Sequence, residues 1–158
     1  MTSDMYQILY CSRNCIHGTP PQTALEIGNI LSVSRRNNVK VNVTGALLFN
    51  SIFFAQVLEG PLSGVEKIFE QIQRDNRHCD LIVLDSGIIE ARNFPIWSMA
   101  FAGADSDASN PHIAATLNAA FSNPSAAGEE VLSLLRNLVA KEEAWALPAR
   151  HPSSPLPV

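Results

Sequence analysis

The chain has 158 residues, of which 46% are hydrophobic and 16% charged, with a formal net charge of −4. A chain this long buries enough surface to fold as one unit without staples, and Arg35, Arg36, Lys40, Arg74, Arg77 and Arg92 are too scattered to make the basic stripe of a nucleic-acid binder. No run reaches the roughly 20 apolar residues of a membrane span and no secretory leader pattern opens the chain, so a cytoplasmic protein with neither nucleic acid nor membrane as partner is expected.

Met5 to Cys11 reads as a strand with Tyr6, Ile8 and Tyr10 on one face and Leu9 and Cys11 on the other. Thr19, ahead of Pro20 and Pro21, starts a helix whose repeat runs through Ala24, Ile27, Ile30, Leu31 and Ser34 and ends near Asn37 and Asn38. Val41 to Phe49 and Ile52 to Glu59 alternate as two strands joined at Asn50 and Ser51, with Gly60 and Pro61 as the stop. Ser63 with Glu66 resembles a capping box for a second helix, which carries Val65, Ile68, Phe69 and Ile72 on one stripe and ends around Asp75. Leu81 to Leu84, extendable to Ile89, and Ile96 to Phe101 supply the last two strands. Two amphipathic segments follow, one through Ile113, Leu117, Ala120 and Phe121, the other through Val131, Leu134, Leu135 and Leu138. The tail from Pro148 is rich in proline and is expected to be unstructured. Cys11, Cys15 and Cys79 are odd in number and lack metal-ligand spacing, so reduced thiols and no metal site are expected.

This order predicts an α+β fold of ferredoxin-like split β-α-β type, a five-stranded mixed sheet with two helices on one face and two C-terminal helices on the other. The expected units are 1–103, a helical extension over 104–147 and a tail over 148–158. Several residues are out of place in such a frame. Gln56 shares a strand face with Ile52, Phe54 and Leu58, where an unpaired amide would cost about 1–3 kcal/mol. It needs a partner, either a neighbouring backbone group, Tyr10 or a ligand. Asn37 and Asn38 end one helix and Asp75, Asn76, Arg77 and His78 end the other; singly these are ordinary C-caps and dipole partners, but together they could flank a flat ligand. Trp97 and Met99 lie two apart on the last strand, as core residues would.

The segments Leu9-Tyr10-Cys11-Ser12, Asn37-Asn38 with Val43-Thr44-Gly45, Phe54-Ala55-Gln56-Val57-Leu58-Glu59-Gly60, Arg74-Asp75-Asn76-Arg77-His78 and Phe94-Pro95-Ile96-Trp97-Ser98-Met99 resemble the BLUF (blue-light-using-flavin) family in order and spacing. The resemblance covers about residues 5 to 102. It implies a non-enzymatic photoreceptor that holds FAD, with FMN or riboflavin as alternative occupants, between two helices that pack on a sheet. By position, Ile30 and Ile72 would sandwich the ring, Asn37 and Asn38 would bond its pyrimidine edge, and Asp75, Arg77 and His78 would stand at its edge and ribityl-phosphate side. Tyr10 and Gln56 match the photochemical pair, the first giving an electron and a proton, the second rearranging its hydrogen bonds. Trp97 and Met99 match the relay toward the C-terminal helices. Gln71 departs from the family, many of whose members have Arg or His there.

A homo-oligomer and a downstream protein partner are the expected outlets, since only about fifty residues follow the photoreceptor unit. An acylphosphatase-like hydrolase would share the topology, with Arg13 at its phosphate site, but Ser12-Arg13-Asn14-Cys15 offers no glycine for a phosphate cradle. A flavin-free dimerisation module would leave Gln56 as a core amide. Bound flavin separates that reading from the photoreceptor.

Overall fold

The computed structural model describes residues 4–95, 99–102 and 111–149. The elements run β1 (Met5–Asn14), α1 (Pro20–Lys40), β2 (Thr44–Phe49), β3 (Phe53–Pro61), α2 (Leu62–Gln73), β4 (His78–Ile89), β5 (Ala100–Ala102), α3 (Pro111–Ser122) and α4 (Pro124–Ala149). The α+β class expected from the sequence stands. Strands β4, β1, β3 and β2 pair antiparallel in that order, and the short β5 lies parallel to β2 at its outer edge. The β1–β4 ladder shifts register twice, between Leu9 and Tyr10 and between Cys11 and Arg13.

Strand alternation sorts the apolar side chains into two cores. Ile8, Phe54 and Leu58 pack with Ile27 and Leu31 of α1 and Val65 and Ile68 of α2. Leu9, Cys11, Phe53, Ala55 and Val57 pack with Ile113, Leu117 and Ala120 of α3 and Val131, Leu135 and Leu138 of α4. A period of two in β1 and β3 thus dictates that their odd and even residues face different helix pairs.

Local chemistry moved several expected boundaries. At α1 the expected start holds: Thr19 Oγ1 accepts from Gln22 N at 3.3 Å while Gln22 Oε1 accepts from Thr19 N at 2.7 Å, a reciprocal cap. The helix then runs past Asn38 to Lys40. At α2 the Ser63–Glu66 cap does not form; Pro61 occupies the cap position without a side-chain bond. The cause is β3, which stays paired with β1 through Gly60 and Pro61 and leaves no turn between strand and helix. Ile52, expected on the β3 face beside Phe54, sits in the turn and is 56% exposed, because Asn50 Oδ1 caps the backbone of Ile52 at 3.1 Å and of Phe53 at 2.8 Å.

The expectation of three reduced cysteines is overturned for two of them. Cys15 and Cys79 form a disulfide with a Cα–Cα distance of 6.2 Å, and Cys11 is the buried free thiol. β1 runs on to Asn14, opposite His78, and the Cys15 N–H then bonds the Arg77 carbonyl at 2.9 Å, so the longer strand carries the two sulfurs together. Burial pushes the Cys11 thiol up to about 11. Among the described residues no helix is long and apolar enough to cross a membrane, and no group of His, Cys, Asp and Glu could hold a metal ion.

Candidate functional site

A cleft of about 320 Å³ opens between α1, α2 and the sheet. Its helical walls follow directly from the 3.6-residue period: Ile30, Val33, Ser34, Asn37 and Asn38 descend one face of α1, and Ile68, Gln71 and Ile72 one face of α2, with Asp75 continuing that line past the helix end. Leu47, Phe54, Tyr10 and Gln56 form the floor, and Arg77 and His78 one end. The expected residues Ile30, Asn37, Asn38, Ile72, Asp75, Arg77, His78, Tyr10 and Gln56 therefore line a single cleft.

Tyr10 and Gln56 are direct cross-strand partners on β1 and β3. Both are 3% exposed. The Tyr10 hydroxyl donates to Gln56 Oε1, and Gln56 Nε2 donates to Met99 Sδ at 3.3 Å. Burial raises the Tyr10 phenol far above its ordinary value, with the Asp75 and Cys11 charges adding to the effect, so it is a neutral donor at physiological pH. Asn38 is fully buried and its Oδ1 is shut off from solvent.

The end of the cleft is organised by the turn after α2, which stops at Gln73 where the sequence suggested an end around Asp75. Instead Asp75 Oδ1 accepts from Arg77 N at 2.9 Å, and the two side chains form a fork closed at 2.6 Å. Burial alone would raise the Asp75 carboxyl, but the hydrogen bonds and charge of Arg77, helped by His78, hold it below the usual carboxylate range. Arg77 also reaches Glu26 of α1 at 3.5 Å, tying the two walls together. His78 begins β4 and spans Ser12 Oγ at 2.8 Å and the Ile72 carbonyl at 2.7 Å. A carbonyl only accepts, so the Nε2 carries a proton and, in the neutral ring, Nδ1 accepts from Ser12.

The family profile "BLUF: Sensors of blue-light using FAD" matches residues 5–100, more than half of the chain. The chain belongs to the BLUF family. The blue light- and temperature-regulated antirepressor BluF of Escherichia coli (strain K12) is 39% identical over 69 residues, 44% of this chain and 17% of that protein. Photoactivated adenylate cyclase subunit beta of Euglena longa is 30% identical over 82 residues, 51% of this chain and 10% of that protein. The chain thus spans less than a fifth of the length of these curated relatives. Among solved structures, the dark-state structure of BlrB, a BLUF protein, superposes with a TM-score of 0.69 at 28% identity, covering 89% of this chain and 99% of that one.

Of the two residues the resemblance suggests as a relay, Met99 falls within the described residues. Met99 is fully buried just before β5, its sulfur on Gln56 and its carbonyl accepting from Arg35 Nε at 3.0 Å, while Trp97 lies outside the described residues. Burial lowers the Arg35 guanidinium from its ordinary value. Val33, Ser34, Leu47, Phe54 and Ile68 are lining residues that sequence reasoning did not assign to the site; counting helical turns from Ile30 and Ile72 would have found three of them. Arg13, the phosphate anchor of a hydrolase reading, is already engaged: it pairs with Asp80 at 3.4 Å and lies over the Phe121 ring at 4.4 Å.

Proposed function

We propose that this chain is a blue-light receptor in which Tyr10 and Gln56 carry the photochemistry of a bound flavin, FAD in the first instance. The observation that carries this reading is the buried Tyr10–Gln56–Met99 chain of hydrogen bonds along the floor of a cleft with apolar walls. The residues fit such a group. Ile30 and Ile72 offer apolar surface to the two faces of a flat ring, and Asn38 is an amide in the cleft lining, the type of group that bonds an imide edge. Asn37 and the cationic Arg77 stand at the polar ends. Gln71, an uncharged amide on the exposed rim, takes the place where many relatives have a cation.

The flavin supplies blue-light absorption and a transient acceptor of an electron and a proton. Tyr10 supplies both from one group, since its phenol is neutral and held by a hydrogen bond. Gln56 is an amide with donors on one side and an acceptor on the other, so a half-turn exchanges what it presents to each neighbour. Its carbonyl oxygen would then face Met99, whose thioether has no hydrogen to donate. The Gln56–Met99 contact is therefore lost whenever the amide reverses, which converts a change at Tyr10 into a change at Met99. Output then passes to α3 and α4 as a shifted contact surface for a second copy of the chain or a protein partner; no catalytic residue is assigned.

The experiment is the absorption spectrum of the purified protein in darkness, under blue light and during recovery. A yellow protein whose band moves slightly to the red without bleaching, then returns, supports the reading. A flavin band that stays fixed under illumination removes the Tyr10–Gln56 photochemistry and keeps only a binding site. A colourless protein that also refuses added FAD, FMN and riboflavin favours the dimerisation module.

A further inference from the structure

The face of the sheet opposite the cleft holds a buried polar centre that photochemistry does not use. Glu59 is three residues beyond Gln56 on β3, and the pleat turns its side chain toward α3 and α4. It is fully buried. Its carboxylate accepts from Asn93 N at 2.7 Å, Phe94 N at 2.9 Å, Asn93 Nδ2 at 2.7 Å and Gln7 Nε2 at 3.2 Å. Every one of these donors is neutral, so what the carboxylate does here is hold backbone and amides in place.

Two arginines extend the cluster. Arg92 donates to the Glu59 carbonyl, the Thr44 hydroxyl and the Asn42 carbonyl, each at 2.8 Å, and so bolts the same loop to the ends of β2 and β3. Asn93 Oδ1 accepts from Arg136 NH1 of α4 at 3.0 Å. Glu59 is thus the point where β1, β3, the loop after β4 and, through Asn93, helix α4 are joined by directional bonds. The apolar contacts around it tolerate a small slide of one element on another, whereas a carboxylate with three short donors and a longer fourth does not.

We infer that Glu59 is a positioning residue which couples the strand carrying Gln56 to helix α4, through Asn93 and Arg136. The inference rests on the photoreceptor reading above, and adds to it the bonds by which a change along β3 is handed to the C-terminal helices. Arg136 is the exposed, separable joint of the cluster, and Glu59 its buried anchor.

The test compares flavin-loaded wild type, Glu59→Gln, Arg136→Ala and Arg136→Lys by two readouts: the light-induced red shift, and the light-minus-dark difference in amide hydrogen exchange across residues 131–140. The red shift should persist in all four, because neither residue lines the cleft. The exchange difference should be present in wild type, lost in Glu59→Gln and Arg136→Ala, and regained in Arg136→Lys. Arg136 is exposed, so its variants keep the test alive if Glu59→Gln fails to fold. An exchange difference that survives in Arg136→Ala overturns the inference, as does a wild type that shifts to the red with no change across 131–140. A wild type with no red shift instead defeats the photoreceptor reading itself.

Discussion

Two side chains opposed across β1 and β3 carry the proposed photochemistry, and their chemistry can be separated by substitution. Gln56→Leu keeps the volume of the side chain and removes both donor and acceptor, so the protein should retain flavin and lose the red shift under blue light. Tyr10→Phe should do the same while leaving Gln56 Oε1 unpaired, at a cost of about 1–3 kcal/mol in unfolding by urea. Asp75 yields a pH dependence. Its carboxyl is held below the ordinary 3.8, so its contribution to stability is present above that value and lost as pH falls through its lower folded value. Urea midpoints should therefore fall more steeply below about pH 4 in wild type than in Asp75→Asn. That these residues share one cleft was legible because a strand's period of two and a helix's period of 3.6 decide facing without knowledge of the partners, whereas their roles come from the resemblance to the BLUF family. Glu59 and Gln7 were not legible. Glu59 stood only as a member of the Gln56–Gly60 motif and Gln7 was not singled out, and only the register that sets them opposite each other, under the loop at Asn93, makes a buried cluster of them.

Close approach between elements gives glycines opposite values in different places. A methyl group on Gly64 of α2 would stand 2.5 Å from the Val41 carbonyl, a backbone atom that cannot step aside. Gly28 of α1 is exposed, and a methyl group there meets nothing within 4 Å. Gly64→Ala should lower stability by about 1–3 kcal/mol, the strain exceeding the gain in helix propensity. Gly28→Ala should raise it by about 0.5–1 kcal/mol, since only propensity changes. Chemical denaturation of the two variants checks both signs. At this scale the existence of the elements was readable and their junctions were not. The Asp75-Asn76-Arg77-His78 run looked like a helix end, yet Asp75 folds it into a turn whose last residue already belongs to β4; the direct passage from β3 into α2 likewise depends on pairing with β1 that no local pattern announces.

For the molecule as a whole, the disulfide joins the end of β1 to the start of β4 across a separation of 64 residues. Closing so long a loop restricts the unfolded chain, and Cys15→Ser should cost about 2–4 kcal/mol in unfolding under non-reducing conditions, a difference that vanishes once dithiothreitol is added. The pairing was hidden in the sequence because it needs both strands to run longer than their apolar cores. The uneven β1–β4 ladder has a consequence for how copies of this chain coexist at high concentration. β4 is the outermost strand on its side, twelve residues long, with Val83 and Ile88 exposed and its outer row of amides and carbonyls turned away from β1. A straight, greasy border of that length is a template for cross-β stacking. The two slips in register interrupt its regular pairing with β1, and the exposed carboxylate of Asp85 puts like charges together where a stranger's identical strand would have to lie. The irregularity that makes the ladder look imperfect is thus a guard against fibril growth.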